Sequence, residues 1–126
     1  MSLPAIGQMD KPTRIQRPLV RPGNWRDPQR YVVGWPDGVV KVGCTNQGRA
    51  RWGSFLNRGG VMLDLSYFTN VVHAEIWLQE QISAKYPRAF KSKEESKPYL
   101  GGKGGYSECF RVPVSEWPEL LELARS

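Results

Sequence analysis

The clearest alternation of hydrophobic and polar positions lies in the first half of the chain. Two runs rich in β-branched residues, Tyr31–Trp35 and Val39–Gly43, flank Pro36-Asp37-Gly38, a triplet suited to a type I turn followed by a left-handed glycine. The pattern predicts a β-hairpin with a three-residue loop. Period-2 alternation would then put an ammonium and a phenol on one face with apolar groups, the face being made of Tyr31, Val33, Trp35, Val39, Lys41 and Gly43.

A helix and a strand are predicted to follow the hairpin. Trp52, Phe55 and Leu56 stand at the i, i+3 and i+4 spacing of a helix that buries one side. We expect this helix to end near Asn57, because two glycines follow shortly after it. Val61–Thr69 is rich in β-forming residues with an alternating centre, and it predicts a third strand.

A second helix is predicted from a cap at Asn70 to about Tyr86, just before a proline. Projection at about 100° per residue places Glu75 in the middle of its apolar face. The apolar residues around it on that face are Val71, Leu78, Ile82 and Tyr86.

The last third of the chain predicts a loop, a strand and a helix. Arg88–Gly105 is polar and ends in GGKGG, which indicates a mobile loop. Tyr106–Val112 predicts a strand with Tyr106, Glu108, Phe110 and Val112 on one face, and a final helix begins near Ser115. The element order predicts a small α/β fold of the α+β type: hairpin, helix, strand, helix, strand, helix on an antiparallel or mixed sheet.

The first 29 residues differ in character from the rest. They are rich in proline and arginine, with apolar residues scattered singly, and predict a largely irregular leader before a single domain at residues 30–126. Trp25 is the exception to this polar tone, and we expect it to pack against the domain.

Basic charge is concentrated in two segments of weak core patterning, the leader and residues 85–103. Lys and Arg number 18 against 12 acidic residues, a net charge of +6. Such charge favours a nucleic-acid partner, although solvated linkers can carry it too. The candidate nucleic-acid contacts are Arg49, Arg58, Lys85, Arg88, Lys91, Lys93 and Lys103.

Two widely spaced cysteines, Cys44 and Cys109, do not indicate a disulfide framework. The chain has neither a signal-peptide pattern nor a run of about 20 apolar residues that a membrane span needs. We expect a cytoplasmic protein without a membrane partner.

Glu75 is the strongest candidate for chemistry, because an unpaired carboxylate on a core-facing stripe is costly. It could pair with Arg51 or Lys41 and tie the helix to the sheet. It could instead hold a divalent cation, since carboxylate, water and phosphate oxygens suit magnesium. His73 is the single histidine, so zinc is not indicated.

Four motifs in order resemble the GIY-YIG nuclease superfamily. They are Tyr31, VKVG at residues 40–43, Arg51 eight residues later, and Glu75 within an A-E-x-x-L pattern. The sequence is most similar to the phage and bacterial branch, with a VKIG-like second motif and a late GYxEWF-like strand, here Gly105–Phe110. The resemblance covers Arg30 to about Val112.

The resemblance implies a metal-dependent endonuclease acting on DNA. In such enzymes the position of Tyr31 is the general base toward water, that of Arg51 steadies the scissile phosphate, and that of Glu75 holds Mg²⁺ or Mn²⁺. Lys41 stands where the better-studied branch has a tyrosine, so it could contact phosphate or mark a degenerate site. Two other functions stay open: a non-catalytic nucleic-acid-binding module, and a structural protein that binds a partner through its N-terminal arm.

Overall fold

Five antiparallel strands and four helices make up the described part of the chain. The computed structural model describes residues 10–15 and 28–126. The strands are β1 (Arg14–Ile15), β2 (Gln29–Gly34), β3 (Val39–Thr45), β4 (Val61–Phe68) and β5 (Cys109–Arg111), in the spatial order β1-β4-β2-β3-β5. The helices are α1 (Arg49–Asn57), α2 (Val71–Ser83), α3 (Lys93–Leu100) and α4 (Trp117–Arg125). The predicted α+β class is confirmed.

The hairpin of β2 and β3 has the predicted register. Tyr31 lies opposite Gly43, and Val33 lies opposite Lys41. The turn is closed by hydrogen bonds between the backbones of Trp35 and Val39 (2.8 Å) and of Gly38 and Trp35 (2.9 Å). Gly38 has a φ of 97°, the left-handed conformation that a glycine adopts at no steric cost.

Helices cover both faces of the central strands, giving three layers. On the face of Tyr31 and Val33 the sheet packs against α1 and against Phe90 and Leu100. On the face of Val32 it packs against apolar side chains of α2 and α4. Strands buried on both faces are expected to be continuously apolar, as the valine-rich hairpin is. Among the described residues no helix is long and apolar enough to cross a membrane.

Arg30 of β2 is fully buried among polar partners. Its guanidinium donates to the carbonyls of Ala74 (3.1 Å) and Ala124 (2.6 Å). It also lies 3.8 Å from a carboxylate oxygen of Asp64. Burial lowers the pKa of Arg30 to about 10, with Asp64 opposing that effect. This contact set joins the centre of the sheet to α2 and α4.

Part of the predicted leader belongs to the sheet. Arg14 and Ile15 form β1 on the edge of β4, and the Arg14 guanidinium donates to the Ser66 hydroxyl at 2.7 Å. Gln29 already lies in β2. Trp25 and most of the leader fall outside the described residues, so the boundary at residue 30 stays a prediction.

The prediction of a mobile loop over residues 88–105 is wrong, because this segment contains the helix α3. Ser92 caps this helix, its hydroxyl accepting from the Glu95 backbone N–H at 3.3 Å. Ser96 and Leu100 are buried on the inner side. A serine followed three residues later by glutamate is a helix-start signature, and it outweighs the polar composition of the segment.

The predicted strand over residues 106–112 is also shorter than expected. Residues Tyr106–Glu108 form a 3-10 turn after Gly105, whose φ is 105°, and β5 begins only at Cys109. Glu108 therefore does not follow the alternation of a strand. Phe110 packs with α2 and α4.

Candidate active site at the edge of β3

The candidate site lies beside the first residue of β5, Cys109, which pairs with Lys41. In the described residues β5 pairs with β3 at Val39, Val40 and Lys41 only. Beyond Lys41 the outer edge of β3 meets α2 instead, where the Gln79 side-chain amide donates to the Val42 carbonyl at 3.0 Å. Glu75 precedes Gln79 by one helical turn, so α2 brings its carboxylate to this part of the edge, where β5 does not pair with β3.

Tyr31 contributes a phenol that lies against Gly43. Its side chain is 1% exposed, and a Cβ at Gly43 would lie 2.3 Å from the Tyr31 oxygen. Only a glycine therefore leaves room for the phenol here. Burial raises the pKa of Tyr31 above its usual value, while the charges of Lys41 and Arg51 and a hydrogen bond from Arg51 oppose that rise.

Lys41 brings a buried cation to the same place. Its nitrogen lies 5.7 Å from the centre of the Tyr31 ring and 5.9 Å from that of Phe55. It donates to Glu108 at 3.3 Å. The predicted shared face of Tyr31 and Lys41 is thus confirmed, and Glu108 supplies the negative partner.

Glu75 is half-buried and interacts with Cys44, whose thiol and backbone N–H both hydrogen-bond to its carboxylate. Burial and then the charge of Glu108 raise the pKa of Glu75, and Lys41 opposes them. Within residues 10–15 and 28–126 no salt bridge joins Glu75 to Arg51 or Lys41. The structural alternative of an ion pair tying α2 to the sheet through Glu75 is therefore not observed.

The glycine-rich segment Gly101–Gly105 borders the site on the side of α1. The Arg51 guanidinium lies 3.5 Å from the Gly104 carbonyl, and the Lys103 ammonium lies 3.4 Å from the Ala50 carbonyl. Both contacts join the segment to the first turns of α1, next to Tyr31.

The other candidate nucleic-acid contacts are spread over the surface. Arg88 donates to the Ser107 carbonyl beside Glu108, and the guanidinium of Arg58 packs at Gly101. Lys85 lines a groove of about 670 Å³ between α2 and α4, away from the open edge. Arg49 lies exposed in the first turn of α1, and Lys91 and Lys93 lie exposed around the start of α3. Their binding roles stay predictions.

Glu108 is the member of the site that the sequence did not reveal. It lay within the GYxEWF-like motif, but the predicted strand only put it on one face with Tyr106, Phe110 and Val112 and did not place it beside Lys41. The 3-10 turn removes it from that alternation. The signal that could have found it is Gly105, whose left-handed φ starts the turn.

The candidate ligand for a divalent cation is the half-buried carboxylate of Glu75. The carboxylate of Glu108 is near enough to raise the pKa of Glu75. A positive ion would relieve that repulsion. No group of three or more His, Cys, Asp or Glu side chains at ligand spacing occurs in the described part of the chain. The protein would thus supply few ligands, with water and phosphate supplying the rest, a common arrangement for Mg²⁺.

Comparisons with protein-family models, with curated proteins and with solved structures found no match to this chain. What the site can do therefore rests on its chemistry, which combines a phenol near two cations, a half-buried carboxylate and an open strand edge.

Proposed function

We propose that this protein is a metal-dependent endonuclease of the GIY-YIG type, which hydrolyses phosphodiester bonds in DNA. The observation that carries the proposal is the meeting of Tyr31, Lys41, Arg51 and Glu75 at the edge of β3. These residues come from two strands and two helices; Lys41 and Arg51 act on the Tyr31 phenol, and Lys41 also acts on Glu75. A purely structural role would not require a phenol, two cations and a carboxylate together.

Tyr31 is suited to be the base for the attacking water. Hydrolysis of a phosphodiester needs a group that takes a proton from water, and a phenolate oxygen can do so. Burial raises the pKa of Tyr31 above its usual value, and the charges of Lys41 and Arg51 act against that rise, toward the ionised form. Arg51 would also bind the phosphate, because its planar guanidinium matches two phosphate oxygens.

Glu75 would hold the divalent cation, Mg²⁺ or Mn²⁺. Such an ion, when bound, stabilises negative charge on the oxygen that leaves phosphorus. Glu75 itself must be ionised to bind it; burial and the charge of Glu108 raise its pKa, and the nearby ammonium of Lys41 acts against that rise. The thiol and backbone N–H of Cys44 also lower the pKa of Glu75.

Basic side chains around the site would bring DNA to it. Arg88 lies on the side of Glu108 and Lys103 on the side of α1. Contacts from such groups go to phosphates and carry no base specificity, so they add affinity that weakens with salt. The net charge of +6 supports the same partner.

The test is cleavage of supercoiled plasmid DNA in Mg²⁺ or Mn²⁺. We expect Glu75→Gln and Arg51→Ala each to lower the cleavage rate by about 10²- to 10³-fold, the loss typical of one electrostatic contact to a transition state. Glu122→Gln, at an exposed position of α4, is the matched control and should leave the rate unchanged. Circular dichroism and thermal unfolding verify that each variant is folded.

Undiminished cleavage by both site variants would contradict the assigned roles. Salt-sensitive DNA binding by a wild-type protein that cleaves in neither metal would instead support the non-catalytic binding module.

A further inference from the structure

The ammonium of Lys41 is enclosed by the protein, since its side chain has 0% exposed surface. An ammonium removed from water is stable only when a counter-ion or hydrogen bonds replace the water. Among the described residues its ion-pair partner is Glu108, at 3.3 Å, and the Glu108 side chain keeps 35% of its surface exposed. The pair thus links an enclosed cation to an accessible carboxylate.

The turn that carries Glu108 fits closely around this ammonium. A Cβ at Gly105 would lie 2.6 Å from the Lys41 nitrogen, so any other residue at this position would collide with the ammonium. The Glu108 N–H donates to the Gly105 carbonyl at 3.0 Å, which closes the turn. The turn ends at Cys109, the strand partner of Lys41. Backbone pairing and the turn together hold the carboxylate beside the ammonium.

We propose that Glu108 is a positioning residue, which holds the ammonium of Lys41 next to the Tyr31 phenol in the candidate site. The catalytic consequence of this inference rests on the proposed function. A lysine side chain has several rotatable bonds and can reach other positions when its partner is removed. Without the Glu108 carboxylate the enclosed ammonium would turn toward solvent, and the positive charge beside Tyr31 would be lost.

A merely structural ion pair makes different predictions. Such a pair would tie the turn to β3, and its loss would change stability while leaving the chemistry intact. A positioning role requires that the place and charge of Lys41 depend on Glu108, and that the two residues affect turnover as one unit. Both requirements can be measured separately.

The first measurement is the ¹H–¹⁵N signal of the Lys41 ammonium by NMR, without metal or DNA. A buried, paired ammonium exchanges its protons slowly and gives a signal, which Lys41→Met identifies by removing it. We expect Glu108→Gln to abolish or shift this signal and Glu108→Asp to restore it in part. Glu95→Gln, an exposed glutamate of α3, should leave it unchanged. An unchanged signal in Glu108→Gln would overturn the inference.

The second measurement is the rate of DNA cleavage. We expect Glu108→Gln and Lys41→Met each to lower kcat by about 10²-fold, with less than about a threefold change in KM, and the double variant to be no slower than either. Glu108→Asp should recover about tenfold of the loss. Additive losses in the double variant would overturn the positioning role. If the wild type does not cleave DNA, the proposed function fails, while the ammonium signal still decides whether Glu108 positions Lys41.

Discussion

At the scale of single residues, Cys44 reports on the electrostatics of the site. Its thiol lies beside the Glu75 carboxylate, and burial together with that negative charge raises the pKa of Cys44 to about 11. The thiolate is the reactive form of cysteine. Cys44 should therefore be slow to react near neutral pH although it is half-buried rather than enclosed.

Alkylation by iodoacetamide in EDTA, followed by peptide mass spectrometry, measures this effect. We expect Cys44 at pH 8 to react roughly 100-fold more slowly than a thiol with a pKa near 9, because its thiolate is that much scarcer. The rate should rise about tenfold per pH unit up to pH 10, as the thiolate fraction grows toward the pKa. Glu75→Gln should speed the reaction by removing the negative charge, whereas Glu122→Gln should not.

Reaction of Cys44 at the rate of an ordinary thiol would contradict this picture of the site. Cys109 is an internal reference, because it is fully buried and should react only when the protein unfolds.

Single residues also show why the site was partly predictable. Tyr31 and Lys41 followed from the hairpin register, since strand alternation leaves two possible faces and the three-residue turn selects between them. Glu75 followed from its place on an apolar helical stripe. Glu108 did not follow, because a left-handed glycine and a 3-10 turn interrupt the strand pattern and no periodicity describes the residues between them.

At the scale of elements, α3 stabilises the turn of the hairpin. Tyr99 of α3 packs edge-on against Trp35, with ring centres 5.4 Å apart, and against Phe90 at 5.1 Å. Its hydroxyl donates to the Asp37 carboxylate in the turn. The helix therefore holds the start of β3, from which Lys41 projects into the site.

Ser92→Ala tests the cap on which α3 depends. The change removes the acceptor for the Glu95 N–H and should lower the free energy of unfolding by about 1 kcal/mol, the usual effect of losing such a cap. Ser92→Asp retains an acceptor and should cost less. Urea denaturation measures both, and equal losses in the two variants would exclude capping as the cause.

The sequence did not predict α3 as a helix because few of its side chains are apolar. A short helix that buries only Ser96, Leu100 and part of Tyr99 leaves a weak periodic pattern. Glycines and lysines on either side made the whole segment resemble a loop. The capping motif at Ser92 was the one local sign of this helix. The packing of Tyr99 depends on residues that are distant in sequence, so the local pattern could not reveal it.

At the scale of the whole molecule, Asp64 connects parts that are distant in sequence. Its carboxylate accepts from the Ser66 hydroxyl at 2.6 Å and lies 3.8 Å from the Arg30 guanidinium. It also lies 3.4 Å from Arg125 near the C-terminus. Since Ser66 in turn meets Arg14 of β1, one buried carboxylate links the edge strand, the central strand and the last helix.

Asp64→Ala should therefore destabilise the whole fold. We expect a loss of about 3–5 kcal/mol in the free energy of unfolding, because Arg30 would remain buried without a counter-ion. Arg125→Ala is the control: its side chain is 58% exposed, and loss of such a surface pair should cost under about 1 kcal/mol. Urea denaturation measures both. Similar effects of the two variants would mean that Asp64 is not the counter-ion on which Arg30 depends.

The overall class could be predicted from the sequence, but the arrangement of the sheet could not. Period-2 and helical patterns identified the hairpin, α1, β4 and α2, because each buries a regular face. Neither pattern contains the spatial order of strands. The two-residue strand β1 is too short to give any pattern, and the contacts of its Arg14 are with Ser66 and Ala124, which lie far along the chain.

The contacts between the segment Gly101–Gly105 and α1 bear on which ligands the site would bind. Tyr31 and Lys41 have 1% and 0% exposure, while the cations of Arg51 and Lys103 hold the segment against α1. In the proposed function a ligand near the phenol would compete with these backbone carbonyls for the two cations. An isolated phosphate can satisfy one of them, whereas a polymer with successive phosphates can satisfy both. The site would then bind a long polyanion in preference to a single phosphate.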